Sequence, residues 1–164
     1  MKNSALISLI VYGCLSSEML SASPIISTFD IDLDGWTTNP QGTLAFDAGG
    51  FLLETDASSG GNMHVSAPGK FLGDLTDADS FSVDIKSLAT PLTIQAAFGT
   101  LMFSNSTAGS FISLDLGDPS TVWTNYATPL NSAAFGVDAL TYSSVMSNVT
   151  SITLILESDK GLDT

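Results

Sequence analysis

From Ile25 onward the chain is punctuated about every ten residues by Gly, Asp, Ser or Pro, and the runs between are short and either apolar or alternating. That spacing leaves no room for long helices and predicts an all-β sandwich or barrel. Strands are expected near 26–33, 42–46, 50–55, 61–66, 80–87, 92–103, 110–115, 121–128 and 150–157. Asp47-Ala48-Gly49-Gly50, between Leu44-Ala45-Phe46 and Phe51-Leu52-Leu53, is the clearest hairpin, because its glycines allow the positive φ of a tight turn. One short helix is expected over 138–148, capped by Asp138, and a single turn over Lys70–Gly73, entered through Pro68. With 164 residues, 44% of them hydrophobic, the chain can close one core.

Charge narrows the partners. Seventeen acidic residues face four lysines and no arginine, a net charge of -13. Nucleic acid needs clustered Lys or Arg to displace counterions, so it is excluded as a partner, and anionic membrane surfaces are disfavoured for the same reason. Lys2, the apolar run from Ala5 to Leu15 and the small-residue exit Leu20-Ser21-Ala22 together read as a secretory signal peptide over 1–22. The mature domain is then 23–164, secreted or extracellular, with no transmembrane segment. Val11-Tyr12-Gly13-Cys14 loosely resembles a bacterial lipobox, so lipid anchoring through Cys14 is the alternative. Cys14 is the only cysteine; the mature domain has neither a disulfide nor a thiolate.

The stretch Phe29-Asp30-Ile31-Asp32-Leu33-Asp34-Gly35-Trp36 admits two readings. Three aspartates at alternate positions before a glycine imitate the start of an EF-hand loop, but the twelfth position, which should be a bidentate glutamate, is Gln41. As a strand, the same alternation turns Phe29, Ile31 and Leu33 inward and the aspartates outward. The strand reading is preferred.

Catalytic constellations are thin. His64 is the only histidine and no serine lies in a G-x-S-x-G elbow, so a Ser-His-Asp hydrolase and a zinc site both fail on residue type. Glycoside hydrolysis needs two carboxylates and so remains as an alternative. Glu54 and Glu157, the only glutamates of the mature domain, each sit in an alternating strand where a solvated face is the simpler account. No catalytic residue is assigned, and the protein is read as a non-enzyme.

Ala67-Pro68-Gly69-Lys70-Phe71-Leu72-Gly73-Asp74-Leu75 resembles a segment of laminin B (laminin IV type A) domains, in the manner of an exported bacterial member. Three further segments agree in order. Phe29 to Trp36 resembles the family's opening, Trp123-Thr124-Asn125-Tyr126 with Pro129-Leu130 a later strand, and Val145 to Glu157 its close, followed by Gly161-Leu162-Asp163. The resemblance implies a jelly-roll-like antiparallel β-sandwich akin to carbohydrate-binding modules, without enzymatic activity, acting in extracellular adhesion or glycan contact. It also implies one more strand after Asp163; the edge left open without it predicts aggregation or strand donation. Where the family's core strand bears an arginine, this chain has Ser82-Val83-Asp84-Ile85-Lys86.

Saccharide stacking requires exposed rings, and Trp36, Trp123, Tyr126 and Tyr142 are the candidates. Trp123 and Tyr126 fall on opposite faces of one strand, so at least one of them should be buried. Asp30, Asp32 and Asp34 are read first as solvent-facing strand residues and no cofactor is assigned; a structural calcium held between one of them and Asp163 at the far end is the alternative. The partner is then a glycan or an extracellular or envelope protein; a purely structural component without a small ligand is the second reading.

Overall fold

Gly50 turns back on Asp47 through a 2.9 Å N–H to carbonyl bond with φ +81°, and Asp47 Oδ1 accepts the Gly49 N–H at 2.7 Å, so the expected hairpin forms at the expected residues. The computed structural model describes residues 4–11 by their backbone, and 24–57, 61–88, 97–118 and 120–157 in full. Its strands are β1 (Ser4–Val11), β2 (Ile25–Ser27), β3 (Thr37–Thr38), β4 (Gly42–Asp47), β5 (Phe51–Asp56), β6 (His64–Ser66), β7 (Ser80–Ser87), β8 (Thr100–Asn105), β9 (Ser110–Asp115), β10 (Thr124–Pro129) and β11 (Ser151–Ile155). A helix, α1 (Ala139–Met146), joins β10 to β11, and a 3₁₀ turn spans Gly69–Phe71 after Pro68.

The strands form two antiparallel sheets and no closed barrel, the sandwich architecture expected. One sheet runs β10-β7-β1-β5-β4, with β2 also pairing with β1; the other runs β3-β6-β11-β8-β9. Leu52, Phe81, Val83 and Ile85 of the first sheet, and Val65, Leu101, Phe103 and Ile112 of the second, are all at most 2% exposed and fill the space between them. Phe81 meets Phe103 edge-on, 6.3 Å between ring centroids, which ties the two layers together. Side chains of this size contribute about 1.5–3 kcal/mol each on burial, so this interior, rather than any covalent staple, holds the fold.

Helix α1 begins where its cap predicts. Asp138 Oδ1 accepts the Leu140 and Thr141 N–H groups at 2.9 Å each, and Thr141 Oγ1 donates to Asp138 Oδ2 at 2.7 Å. Val145 and Met146 anchor the helix in the core, and Phe135 stands between Phe103 and Tyr142 at 5.7 and 6.1 Å.

Two expected strands differ. The stretch 26–33 is a strand only over Ile25–Ser27. Phe29 and Asp34 take φ of 51° and 49°, and Asp32 Oδ1 accepts the Asp34 N–H at 2.6 Å, so the chain folds into an irregular loop. Phe29 is buried, but Ile31 is 84% exposed. Within 92–103, residues 92–96 lie outside the described set, and the strand begins at Thr100 after a turn at 97–99. Ser4–Val11, the apolar core of the stretch read as a leader, is placed as the middle strand of the first sheet. No described helix is long and apolar enough to cross a membrane.

Candidate functional site

The order β10-β7-β1-β5 fixes what the outer face of the first sheet presents. On β7, Phe81, Val83 and Ile85 point into the core, which leaves Asp84 on the opposite face. On β5, Leu52 and Glu54 are fully buried, which turns Phe51 outward. Trp123 immediately precedes β10 and is 45% exposed. Three strand spacings separate β5 from β10, about 14 Å, yet the Phe51 and Trp123 rings lean together with centroids 5.8 Å apart at 61°. With Gly49, Gly50 and Asp84 they line an open hollow of about 390 Å³, within the ~300–1,000 Å³ of small-ligand sites.

The polar groups are arranged around the rings. Asn125 Nδ2 donates to Asp84 Oδ1 at 2.8 Å and lies 2.9 Å from Ser82 Oγ, so amide and carboxylate hold each other in place beside the aromatic pair. An edge-to-face pair flanked by a fixed carboxylate and amide can take the apolar face of a pyranose against a ring and bind its hydroxyls at the rim. Among the described residues that line the hollow, Asp84 alone carries an ionisable side chain.

The four rings expected from the sequence are dispersed. Trp123 lines the hollow. Trp36 is 3% exposed, packed between Phe29 at 6.3 Å and Phe71 at 5.9 Å, with Nε1 donating to Ser27 Oγ at 2.9 Å. It is a core residue with its polar handle satisfied, and no ligand reaches it. Tyr126 is half-buried on the inward side of β10, its hydroxyl bonded to the Asp118 carbonyl at 2.7 Å; burial, then the Asp118 charge, raises its pKa. Tyr142 lies against Phe135, and burial raises its pKa too. Phe51 is the residue that sequence reasoning missed. Its signal was the parity of β5, obscured because Glu54 on the inward face is a carboxylate.

Asp30, Asp32 and Asp34 do come together, around a hollow that also includes Lys70. Lys70 pairs with Asp34 and donates to the Ile26 carbonyl at 2.8 Å. Partial burial pushes the Asp34 carboxyl up, but hydrogen bonds from Lys70 and Ser27 and the Lys70 charge more than offset this and leave it below the ordinary value. Asp30 accepts from Thr28 Oγ1 at 2.6 Å. Asp163 lies outside the described residues. Among the described residues no group of three or more His, Cys, Asp or Glu side chains is arranged to hold a metal ion.

The two glutamates depart from the solvated positions expected of them. Glu54 is 0% and Glu157 6% exposed, inside one end of the sandwich, with Asp56 nearby at 8%. Thr38 Oγ1 donates to Glu54 Oε1 at 2.5 Å, the Met63 N–H donates to Glu157 Oε2 at 3.3 Å, and Glu54 Oε2 has no hydrogen-bond partner among the described residues. Burial drives the Glu54 pKa up to about 7, against the Thr38 hydrogen bond and with help from the Glu157 and Asp56 charges. Gly42 makes the space: a Cβ there would stand 2.8 Å from Glu54 Oε1 and 2.7 Å from Thr38 Oγ1. Raised carboxyls mark many active sites, but a glycosidic bond cannot reach this one through closed packing. His64, half-buried on β6, receives Thr38 Oγ1 on its carbonyl at 3.1 Å.

No protein-family model, curated protein or solved structure matches this chain.

Proposed function

We propose that this domain is a non-enzymatic, extracellular module of the laminin B type that contacts glycans through the outer face of its first sheet, stacking a sugar ring on Trp123 and Phe51. The observation that carries the reading is the Phe51–Trp123 pair itself, two large rings brought together on a solvent face beside Asp84 and Asn125. Exposed aromatic area with oriented polar neighbours is what pyranose recognition needs. The four ordered segment resemblances support the family reading, and Lys2 with the apolar run after it supports export. The closed packing around Glu54 and Glu157 favours binding over hydrolysis.

The test is a glycan-array assay of the whole chain and of Trp123→Ala, each with calcium and with chelator. Binding by the wild type that falls about tenfold or more in the variant is the expected result, since an aromatic contact of this kind is worth on the order of 1 kcal/mol or more. Absence of binding in both conditions would favour the second reading, a structural matrix or envelope component. That reading draws on the mutual packing of the two rings, which already shields part of each. A chelator-induced fall in melting temperature would reveal a bound calcium.

A further inference from the structure

β5 and β7 do not pair with each other; β1 alone makes them one sheet. Ile7 stands opposite Leu52 on one side and Ile85 on the other, Leu6 opposite Leu53 and Lys86, Ala5 opposite Glu54 and Ser87. Beyond Ile7 the β5 side is taken over by β2, with Leu9 opposite Ser27, Ile10 opposite Ile26 and Val11 opposite Ile25. Every pairing is antiparallel, so one eight-residue segment in one direction satisfies three neighbours along both of its edges. The groove is bordered on its core side by Leu52, Val83 and Ile85, all at most 1% exposed, so a strand lying in it meets apolar neighbours at alternate positions. The segment found there, Ser-Ala-Leu-Ile-Ser-Leu-Ile-Val, is uncharged and mostly apolar.

The same residues form the apolar core of a sequence that reads as an export leader. Cleavage after Ala22 would leave β2 but take β1 away. The facing N–H and C=O groups of β5 and β7 would lose their partners at the centre of the sheet, where an open edge invites another strand. Chain-neutral chemistry also fits the charge: an acidic donor would be repelled by a protein of net charge -13.

We propose that the space between β5 and β7 is a strand-acceptor groove, filled by Ser4–Val11 in the precursor and, after export, by an apolar, uncharged β-strand of about eight residues from a second polypeptide. The donor runs antiparallel to both walls, and main-chain bonds supply affinity while alternate apolar side chains supply selectivity. Because the groove lies between β5 and β7, the donor also completes the sheet that carries Phe51 and Trp123. The exchange in trans rests on the export part of the functional reading.

The test uses the full chain with a protease site inserted between residues 12 and 23. After cutting, a fluorescent peptide with the Ser4–Val11 sequence and solubilising lysines at its ends is added in excess. A second peptide carries Ile7→Asp and Leu9→Asp. The expected result is one-to-one replacement of the cut segment, a melting temperature that falls when the segment is removed and recovers with the peptide, and binding of the aspartate peptide weaker by about a hundredfold or more, because it would set unpaired charge at the register positions opposite the apolar Leu52, Val83 and Ile85. Loss of the cut segment without change in melting temperature would overturn the proposal. So would a cut segment that never exchanges, since β1 would then be a permanent strand, or equal binding of both peptides. Terminal sequencing of the exported protein decides the export reading separately: an intact N-terminus would remove the need for a second polypeptide while peptide exchange still reported the groove.

Discussion

The two faces of β5 invert the usual arrangement. Outward, Phe51 leans on the exposed Trp123; inward, Glu54 is 0% exposed, bonded to Thr38 and close to Glu157 and Asp56. A strand that served only to close the sandwich would be expected to carry the phenylalanine inside and the glutamate outside. Such local violations concentrate where a protein spends stability on something else. On the outer face the reason is at hand in the ring pair and its polar rim. On the inner face the consequence is a carboxyl driven up to about 7, which makes the interior of this acidic protein pH-sensitive. The two tryptophans sharpen the same contrast, since Trp36 serves the core and Trp123 the surface.

The largest effect should come from the buried ring. Trp36→Ala removes contacts with Phe29 and Phe71 and leaves Ser27 Oγ without its donor. It should cost about 3–5 kcal/mol in a urea melt, whereas a loss below ~1 kcal/mol would mean that Trp36 is not the core residue described.

Glu54 comes next. Its folded pKa of about 7 lies above the ordinary 4.5, so between these values the native state holds a proton that the unfolded state has released. Stability from this group is full below pH 4.5 and is lost as pH rises through about 7, a change on the order of 3 kcal/mol. Glu54→Gln should abolish that slope, read as the difference between variant and wild type because other carboxyls titrate as well. It should therefore gain on the wild type between pH 4.5 and 8. A difference independent of pH would show that Glu54 has the same pKa in the folded and unfolded states.

Trp123→Ala and Phe51→Ala should each lower stability by only about 1 kcal/mol, the scale of a partly exposed aromatic pair, while removing saccharide binding. If either variant unfolds the protein, the outer pair is structural and the contrast between the faces collapses. The smallest effect is expected at Asp138→Ala. Its carboxyl is held below the ordinary value, first by the Thr141 N–H, and caps a helix remote from both faces. A fall of a few degrees in melting temperature with saccharide binding unchanged would mark it as a local cap.

Much of the fold was legible because its signals are local. The Asp47–Gly50 turn, the Asp138 cap and the 80–87 and 110–115 strands depend on residues adjacent in the chain. The stretch 26–33 was misread because alternation alone cannot distinguish a strand from a loop, and the left-handed Phe29 and Asp34 break the period that Ile31 and Leu33 suggest. The site was half legible. Trp123 could be named, but Phe51 becomes its neighbour only when two strands of distant sequence separate them in the sheet. Trp36 resembled Trp123 in residue type and differed in what packed around it, which is a tertiary fact.

The central claim, that a saccharide is held by the outer ring pair, is tested most directly by following the two indole N–H resonances of the folded protein during titration with an oligosaccharide selected on the array. The Trp123 signal should shift in proportion to occupancy while the Trp36 signal, from an indole bonded to Ser27 in the core, stays where it is. A shift confined to Trp36, or saturable binding with neither signal moving, would contradict it.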